Sequence, residues 1–330
     1  MKKLYVSVLA VLTAGAVLAG CSKSNTDTTA VTKAAAAGET TAAQSKEEES
    51  PKTISVTHDQ NTVTVPVNPK RVAVLDYSVL ETIDYLGATP DMIIPQDDLP
   101  HQLEKYKSEP YKNAGDIKEP NLEAINEFKP DLIIIGTRQA ALYDEFSKIA
   151  PTVYTDIDYT KYWSEVERIN LLIGDIFEKK DAVEAKLSEL KVKSEEIKAA
   201  AEKDNKNGLI ILTNDGSLSA FGVGSRFGFI HDLLGIKTVD DNIEVSKHGM
   251  EVGFEYVAEK NPDLLFVVDR TVVVGGSNIA SKTLDNDLIK GTTAGKNNKI
   301  AYLDPSTWYL SGYGLESIPS MFDEIANVLK

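Results

Sequence analysis

Thiol chemistry is nearly absent from this chain, because Cys21 is the only cysteine in 330 residues. No intramolecular disulfide can form, and no thiol is left for catalysis in the folded part. Histidine is scarce too, at four residues. That is too few for the His and carboxylate clusters that hold bare manganese or zinc. Neither G-x-S-x-G nor H-E-x-x-H occurs, so the usual signs of an extracytoplasmic hydrolase are missing. The glycines at 222, 224 and 228 in GVGSRFG miss the G-x-G-x-x-G spacing, and no dinucleotide fingerprint is supported. Basic residues are in deficit, 35 against 50 acidic. Without Lys2 and Lys3 the balance is 33 against 50, or near −17. A nucleic acid or an anionic bilayer surface is a poor partner for such a chain. Long apolar runs are absent but for Leu4 to Leu18, which is too short to span a membrane.

That run has a signal peptide's layout: two lysines before it, then the small residues Ala19 and Gly20. The LAGC ending at Cys21 resembles the lipobox of bacterial lipoproteins, which implies a diacylated Cys21 as the mature N-terminus. Residues 1–20 are thus expected to be signal peptide, and 21–51 the lipidated cysteine with a disordered tether rich in Ala, Thr, Ser, Lys and Glu. The remaining length suits two lobes of ordinary size.

What the rest contains is a repetition. Asn121 to Arg138, NLEAINEFKPDLIIIGTR, returns 132 residues later as Gly253 to Arg270, GFEYVAEKNPDLLFVVDR. Glu123/Glu255, Glu127/Glu259, Asp131/Asp263 and Arg138/Arg270 hold this register. Each copy reads as an amphipathic helix stopped before a proline, then a continuously apolar strand, then an arginine. Strands of this kind are buried on both faces of a parallel sheet. Each arginine therefore falls at a strand's carboxyl end, where open α/β sheets bind ligands.

The fold expected is α/β, with two Rossmann-like lobes joined by a single long rigid helix and a ligand cleft between them. The N-terminal lobe takes 52–179, the helix 180–203, which has neither Gly nor Pro, and the C-terminal lobe 204–330. Both halves follow βαβα order with parallel-strand patterning.

Arg138 and Arg270 are the first candidates for ligand contact. Arg226 is the third, set among glycines after the strand LIILTN. Three permanent cations on one cleft favour a multiply anionic guest, and guanidinium also stacks on aromatic rings. His248 lies in a polar loop, while His58, His101 and His231 carry no expected role. WYLSGYG, with Trp308, Tyr309 and Tyr313, reads as a displayed aromatic loop or as buried packing. Glu123 and Glu255 fall in the first turns of their helices, where the dipole favours a carboxylate. As a matched pair they could also dock a symmetric partner.

Together the lipobox, the E-x(6)-P-D-L-x(5)-R repeats, the helical spine and the ending IAYLDPSTWYLSGYGLES resemble the ferric-siderophore-binding lipoproteins of bacterial ABC importers. The likeness covers essentially 52–330 and is nearest to the group taking up catecholate siderophores. It implies a monomeric, lipid-anchored extracytoplasmic receptor with no catalysis and no intrinsic cofactor, whose cargo is an Fe(III)-siderophore. It further implies that Arg138, Arg226 and Arg270 hold the anionic iron–catecholate unit. His248 and Tyr309 would complete the iron shell when the siderophore offers only two catechols. Glu123 and Glu255 would salt-bridge the permease dimer. Haem or cobalamin is the alternative cargo, although cobalamin would leave three arginines without a counter-charge. A hydrolase is the reading from another class, and it lacks a nucleophile with its base.

Overall fold

The structure, a computed structural model, describes residues 52–246 and 248–330. The expectations for the signal peptide, Cys21 and the tether lie outside the described residues.

The described part opens with a hairpin of β1 (Thr53–His58) and β2 (Asn61–Pro66), closed by the two-residue turn Asp59–Gln60. The N-terminal lobe then lays down β3 (Arg71–Leu75), α1 (Tyr77–Tyr85), β4 (Asp91–Ile94), β5 (Lys112–Asn113), α2 (Leu122–Phe128), β6 (Leu132–Ile135), α3 (Tyr143–Ser147), β7 (Thr152–Tyr154) and α4 (Tyr162–Ile176). Its sheet runs β5-β4-β3-β6-β7 and every pairing is parallel. Helix α5 (Lys180–Asp204) leads to the C-terminal lobe. There follow β8 (Asn207–Asn214), β9 (Ser217–Phe221), α6 (Phe229–Asp232), β10 (Lys237–Thr238), β11 (Met250–Val252), α7 (Phe254–Lys260), β12 (Leu264–Asp269), α8 (Arg270–Val274) and β13 (Ile300–Leu303). The chain ends in the helix Ser317–Val328.

This second sheet departs from the all-parallel expectation. Its order is β11-β9-β8-β12-β13, with β10 beside β8, and β9 and β11 are antiparallel to their neighbours. The cause is local. Asp215 and Gly216 both take positive φ, 46° and 96°, which turns the chain back in two residues. Asp-Gly after LIILTN was the available signal. Arg226 accordingly follows β9 rather than the strand LIILTN.

The repeat is reproduced at backbone level, since α2 and α7 occupy equivalent registers 132 residues apart. Lys129 and Asn261 end them in the left-handed region, φ 50° and 45°, so the residue before each proline leaves the α basin without becoming extended. The aspartate after each proline starts the next layer. Asp131 accepts the Lys70 and Arg71 amides at 2.8 and 3.0 Å, and Asp263 accepts the Asn207 amide at 3.1 Å.

Alternation along the strands separates two kinds of core. Ala73, Leu75, Ile133 and Ile135 turn outward under α2, and Leu209, Ile211, Leu265 and Val267 outward under α7. Val72, Val74, Ile134, Ile210, Phe266 and Val268 turn toward one core that runs through both lobes. Helix α5 adds a stripe at Val183, Leu187, Leu190, Ile197 and Ala201, the spacing of one helix face. Across the middle, Tyr162 of α4 stacks on Phe229 at 4.4 Å, and Phe229 on Trp308 at 5.2 Å. Trp308 and Tyr313 are buried, so the packing alternative for WYLSGYG holds for both.

Because this core is shared, Phe229→Ala should cost about 3–5 kcal/mol and leave one unfolding transition. Urea titration followed by circular dichroism and by tryptophan emission checks it. Two separated transitions would mean that the lobes fold independently.

Candidate functional site

Four side chains predicted from separate stretches of sequence meet at one point. Arg138 leaves a 3₁₀ turn just after β6, Arg270 opens α8 at the end of β12, and Arg226 comes from the loop after β9. Tyr309 rides on Ser306–Leu310, a π-helical turn after β13. Such turns are rare and recur at functional sites. Asp304 steadies its start, accepting the Ser306 amide at 2.9 Å, and Glu324 takes the Asp304 amide at 3.1 Å and the Trp308 indole N–H.

A helical turn leaves its last carbonyls unpaired, and here Arg138 and Arg226 use them. Arg138 donates from Nη2 to the Tyr309 carbonyl at 2.7 Å and from Nη1 to that of Leu310 at 3.2 Å. Arg226 donates from Nη2 to the same Tyr309 carbonyl. Arg270 donates from Nε to the Tyr309 phenol at 2.7 Å and from Nη1 to Asn214 Oδ1. All three guanidiniums also lie over the Tyr309 ring, at 4.5 Å for Arg226, 5.6 Å for Arg270 and 5.9 Å for Arg138. Their partners are carbonyls, an amide and a phenol. Among the described residues none of the three forms an ion pair with a carboxylate, so they are not used to neutralise the chain's own acids.

Clustering and burial leave electrostatic marks. Burial pulls the Arg226 pKa down and nearby Arg138 adds to this, although a guanidinium stays charged. Burial pushes the Tyr309 phenol up, yet the Arg270 hydrogen bond and the three positive charges outweigh it. Tyr309 therefore ionises below the ordinary tyrosine value.

The arginines and Tyr309 line a cleft of about 840 Å³. His248 lines it as well and is exposed. Lys118, Asn214, Ser217, Ser219 and Glu251 also face the cleft, and no expectation named them. Of these, Asn214 and Ser217 flank the Asp-Gly turn and were findable from it. Lys118 and Glu251 carried no local signal. Glu123 and Glu255 are exposed in the first turns of α2 and α7, and neither lines the cleft. Among the described residues no three His, Cys, Asp or Glu side chains converge to hold a bare ion.

The residues given no role have structural ones. His58 bonds the Thr152 carbonyl at 3.2 Å, and buried His231 the Ile236 carbonyl at 2.8 Å. His101 pairs with Asp304 at 2.7 Å and so ties the two lobes together near the Tyr309 turn.

Arg270→Gln should raise the Tyr309 pKa. Ultraviolet difference titration against Tyr309→Phe isolates that phenol, and an unchanged midpoint would remove Arg270 as the cause.

The periplasmic binding protein family model matches residues 72–307. The chain is 44% identical over 281 residues to the petrobactin-binding protein YclQ of Bacillus subtilis, covering 84% of this chain and 88% of that protein. It is 34% identical to the ferric-anguibactin-binding protein FatB of Vibrio anguillarum, covering 82% and 86%. The crystal structure of YclQ superposes with a TM-score of 0.83 at 43% identity, over 84% of this chain and 99% of that one. The catecholate-siderophore-binding protein VctP of Vibrio cholerae superposes with a TM-score of 0.78 at 35% identity, over 83% and 99%.

Proposed function

Because the chain belongs to the periplasmic binding protein family, we propose that its arginine cleft captures an anionic ferric siderophore of the catecholate type and hands it to an ABC permease for iron uptake. It is a binding protein and not an enzyme. The observation that carries the cargo is the convergence of three guanidiniums from both lobes on Tyr309, with no carboxylate partner among the described residues. Petrobactin and anguibactin are what the relatives' names give as ligands.

A ferric catecholate combines net negative charge with aromatic faces. Guanidiniums answer both, by charge-assisted hydrogen bonds to the catecholate oxygens and by stacking. In the free protein the Tyr309 and Leu310 carbonyls hold Arg138 and Arg226 in place, so the ligand meets guanidiniums whose remaining N–H donors are already oriented. Fe(III) is a hard cation that prefers anionic oxygen. The Tyr309 phenol, already acidified by the arginines, is the natural added donor where the siderophore leaves coordination positions open. His248 on the same cleft is the second donor in this reading. Glu123 and Glu255, on equivalent helices of the two lobes, are assigned to docking on paired permease subunits. Cys21 is assigned to lipid attachment at the outer face of the membrane, and the receptor is taken to act as a monomer.

Tryptophan quenching tests the cargo, because Trp308 is buried immediately beside Tyr309 in the chain. Residues 50–330 should be titrated with ferric bis- and tris-catecholates, a ferric hydroxamate, haem and cobalamin. Catecholates alone should quench at sub-micromolar concentration. A response to haem or cobalamin over flat catecholate curves would overturn the cargo.

Arg→Ala at 138, 226 or 270 should weaken tris-catecholate binding about 10- to 100-fold, the scale of one hydrogen bond to a charged group. With a bis-catecholate, Tyr309→Phe should abolish the shift of the charge-transfer band to shorter wavelength on binding. Glu123→Ala with Glu255→Ala should stop uptake and leave binding intact, and lost binding in that double variant would sink the docking role.

A further inference from the structure

The segment 311–317, directly after the turn that carries Tyr309, crosses from the C-terminal lobe and is strapped onto the N-terminal one. Two buried carboxylates at α1 do most of the fastening. Glu81 is wholly buried. It accepts the Ser311 hydroxyl at 2.6 Å, the Ser317 hydroxyl at 2.6 Å, the Ser317 amide at 3.1 Å and Gln102 Nε2 at 2.8 Å. Asp76 accepts the Tyr313 hydroxyl, and the Thr155 hydroxyl at 3.1 Å, while its other oxygen caps α1 at the Ser78 amide, 2.9 Å.

Neutral bonds complete the strap. The Tyr162 hydroxyl donates to the Gly312 carbonyl at 2.7 Å, and Asn170 Nδ2 to that of Tyr313 at 3.0 Å. Contact is so close that a Cβ at Gly314 would collide with the Glu81 carboxylate and stand 2.7 Å from the Ser78 carbonyl. Asp76, Ser311 and Tyr313 share with Arg138 and Arg226 a small cavity of about 110 Å³.

The binding reading uses none of these carboxylates. Yet the strap begins at the residue after Leu310, whose carbonyl, with that of Tyr309, holds Arg138 and Arg226. We propose that Glu81 is a positioning residue for the anion site: it anchors the strap and so fixes the carbonyls against which Arg138 and Arg226 are aimed, with Asp76 as second anchor. The inference rests on the reading of the arginine trio as the anion site.

A carboxylate suits the position because four donors converge there, and it alone among side chains of that length offers acceptors only. Glutamine would turn an N–H₂ toward the Ser317 amide or toward Gln102. A buried acceptor held by four donors is rigid, which is what a site built from mutually repelling cations needs.

The test uses the full chain carrying Glu81→Gln or Ser311→Ala. The first readout needs no ligand. Guanidinium Nη resonances of Arg138 and Arg226, assigned through Arg→Lys variants, resolve separately only while carbonyl bonds slow rotation. In both variants these resonances should merge, and ferric tris-catecholate should bind at least tenfold more weakly. Ile125→Ala, a core cavity under α2, serves as a control for lost stability alone and should keep both properties. Variants that fold with the resonances unchanged would overturn the proposal. So would a control that loses them equally. Should Glu81→Gln fail to fold, Ser311→Ala, which removes a single donor, decides. A wild-type protein that binds no ferric catecholate would defeat the cargo reading, and the ligand-free resonances would still decide this one.

Discussion

Three like charges held within a few ångströms of one ring are the constraint from which the rest of this structure follows. Left to themselves, guanidiniums on mobile side chains would spread into water and lower their repulsion. Here each is tied down before any ligand arrives. The tie is a phenol and two carbonyls that a π-helical turn leaves free. Backbone carbonyls supply partial negative charge without a carboxylate's full neutralisation. The field at the cleft therefore stays positive although the chain as a whole carries −15, and a local concentration of cations in an acidic molecule selects by charge at short range.

Placing those cations requires both lobes, and the repeat explains how. A helix, a Pro-Asp break and a doubly buried strand form a module that delivers an arginine just beyond the strand to the sheet's carboxyl edge. Using it twice brings Arg138 and Arg270 to equivalent edges of two sheets. The aspartates after the prolines are not ligand groups. They pin the start of the neighbouring strand by its amides, which fixes strand register and with it the height at which each arginine emerges. This part was readable from sequence because each signal is local: the periodicity of α2 and α7, the proline, and the unbroken apolar runs. The helix α5 was readable for the same reason.

What could not be read was everything that depends on distant partners. Glu81 meets Ser311 and Ser317 across more than 200 residues, and no window of sequence contains both. Trp308 and Tyr313 looked as ready for display as for burial; the stack with Phe229 and Tyr162 decides it for Trp308, and the hydroxyl bond to Asp76 for Tyr313. Lys118 reaches the cleft from a loop without periodicity, and Glu251 from β11, a strand of three residues and too short to show alternation. The antiparallel β9 is a different case. Its Asp-Gly turn was present in the sequence, and parallel patterning in the flanking strands outweighed it. Arg226 was found as a candidate while the strand delivering it was misassigned.

The shared core also bears on how such a cleft can bind. A receptor that closes around its cargo needs lobes that can separate, and here apolar side chains from both sheets pack into one cluster, with an aromatic stack through its middle. Opening it would expose buried area worth roughly 25 cal/mol per Å², a steep cost for a hinge. Affinity in the proposed reading must come instead from groups already in place. That favours a rigid, highly charged cargo, whose interaction is large without enclosure, over a flexible neutral one that would need to be wrapped. It also gives the strap its purpose: with no closure to align the arginines at the moment of binding, their alignment has to be built into the ligand-free fold.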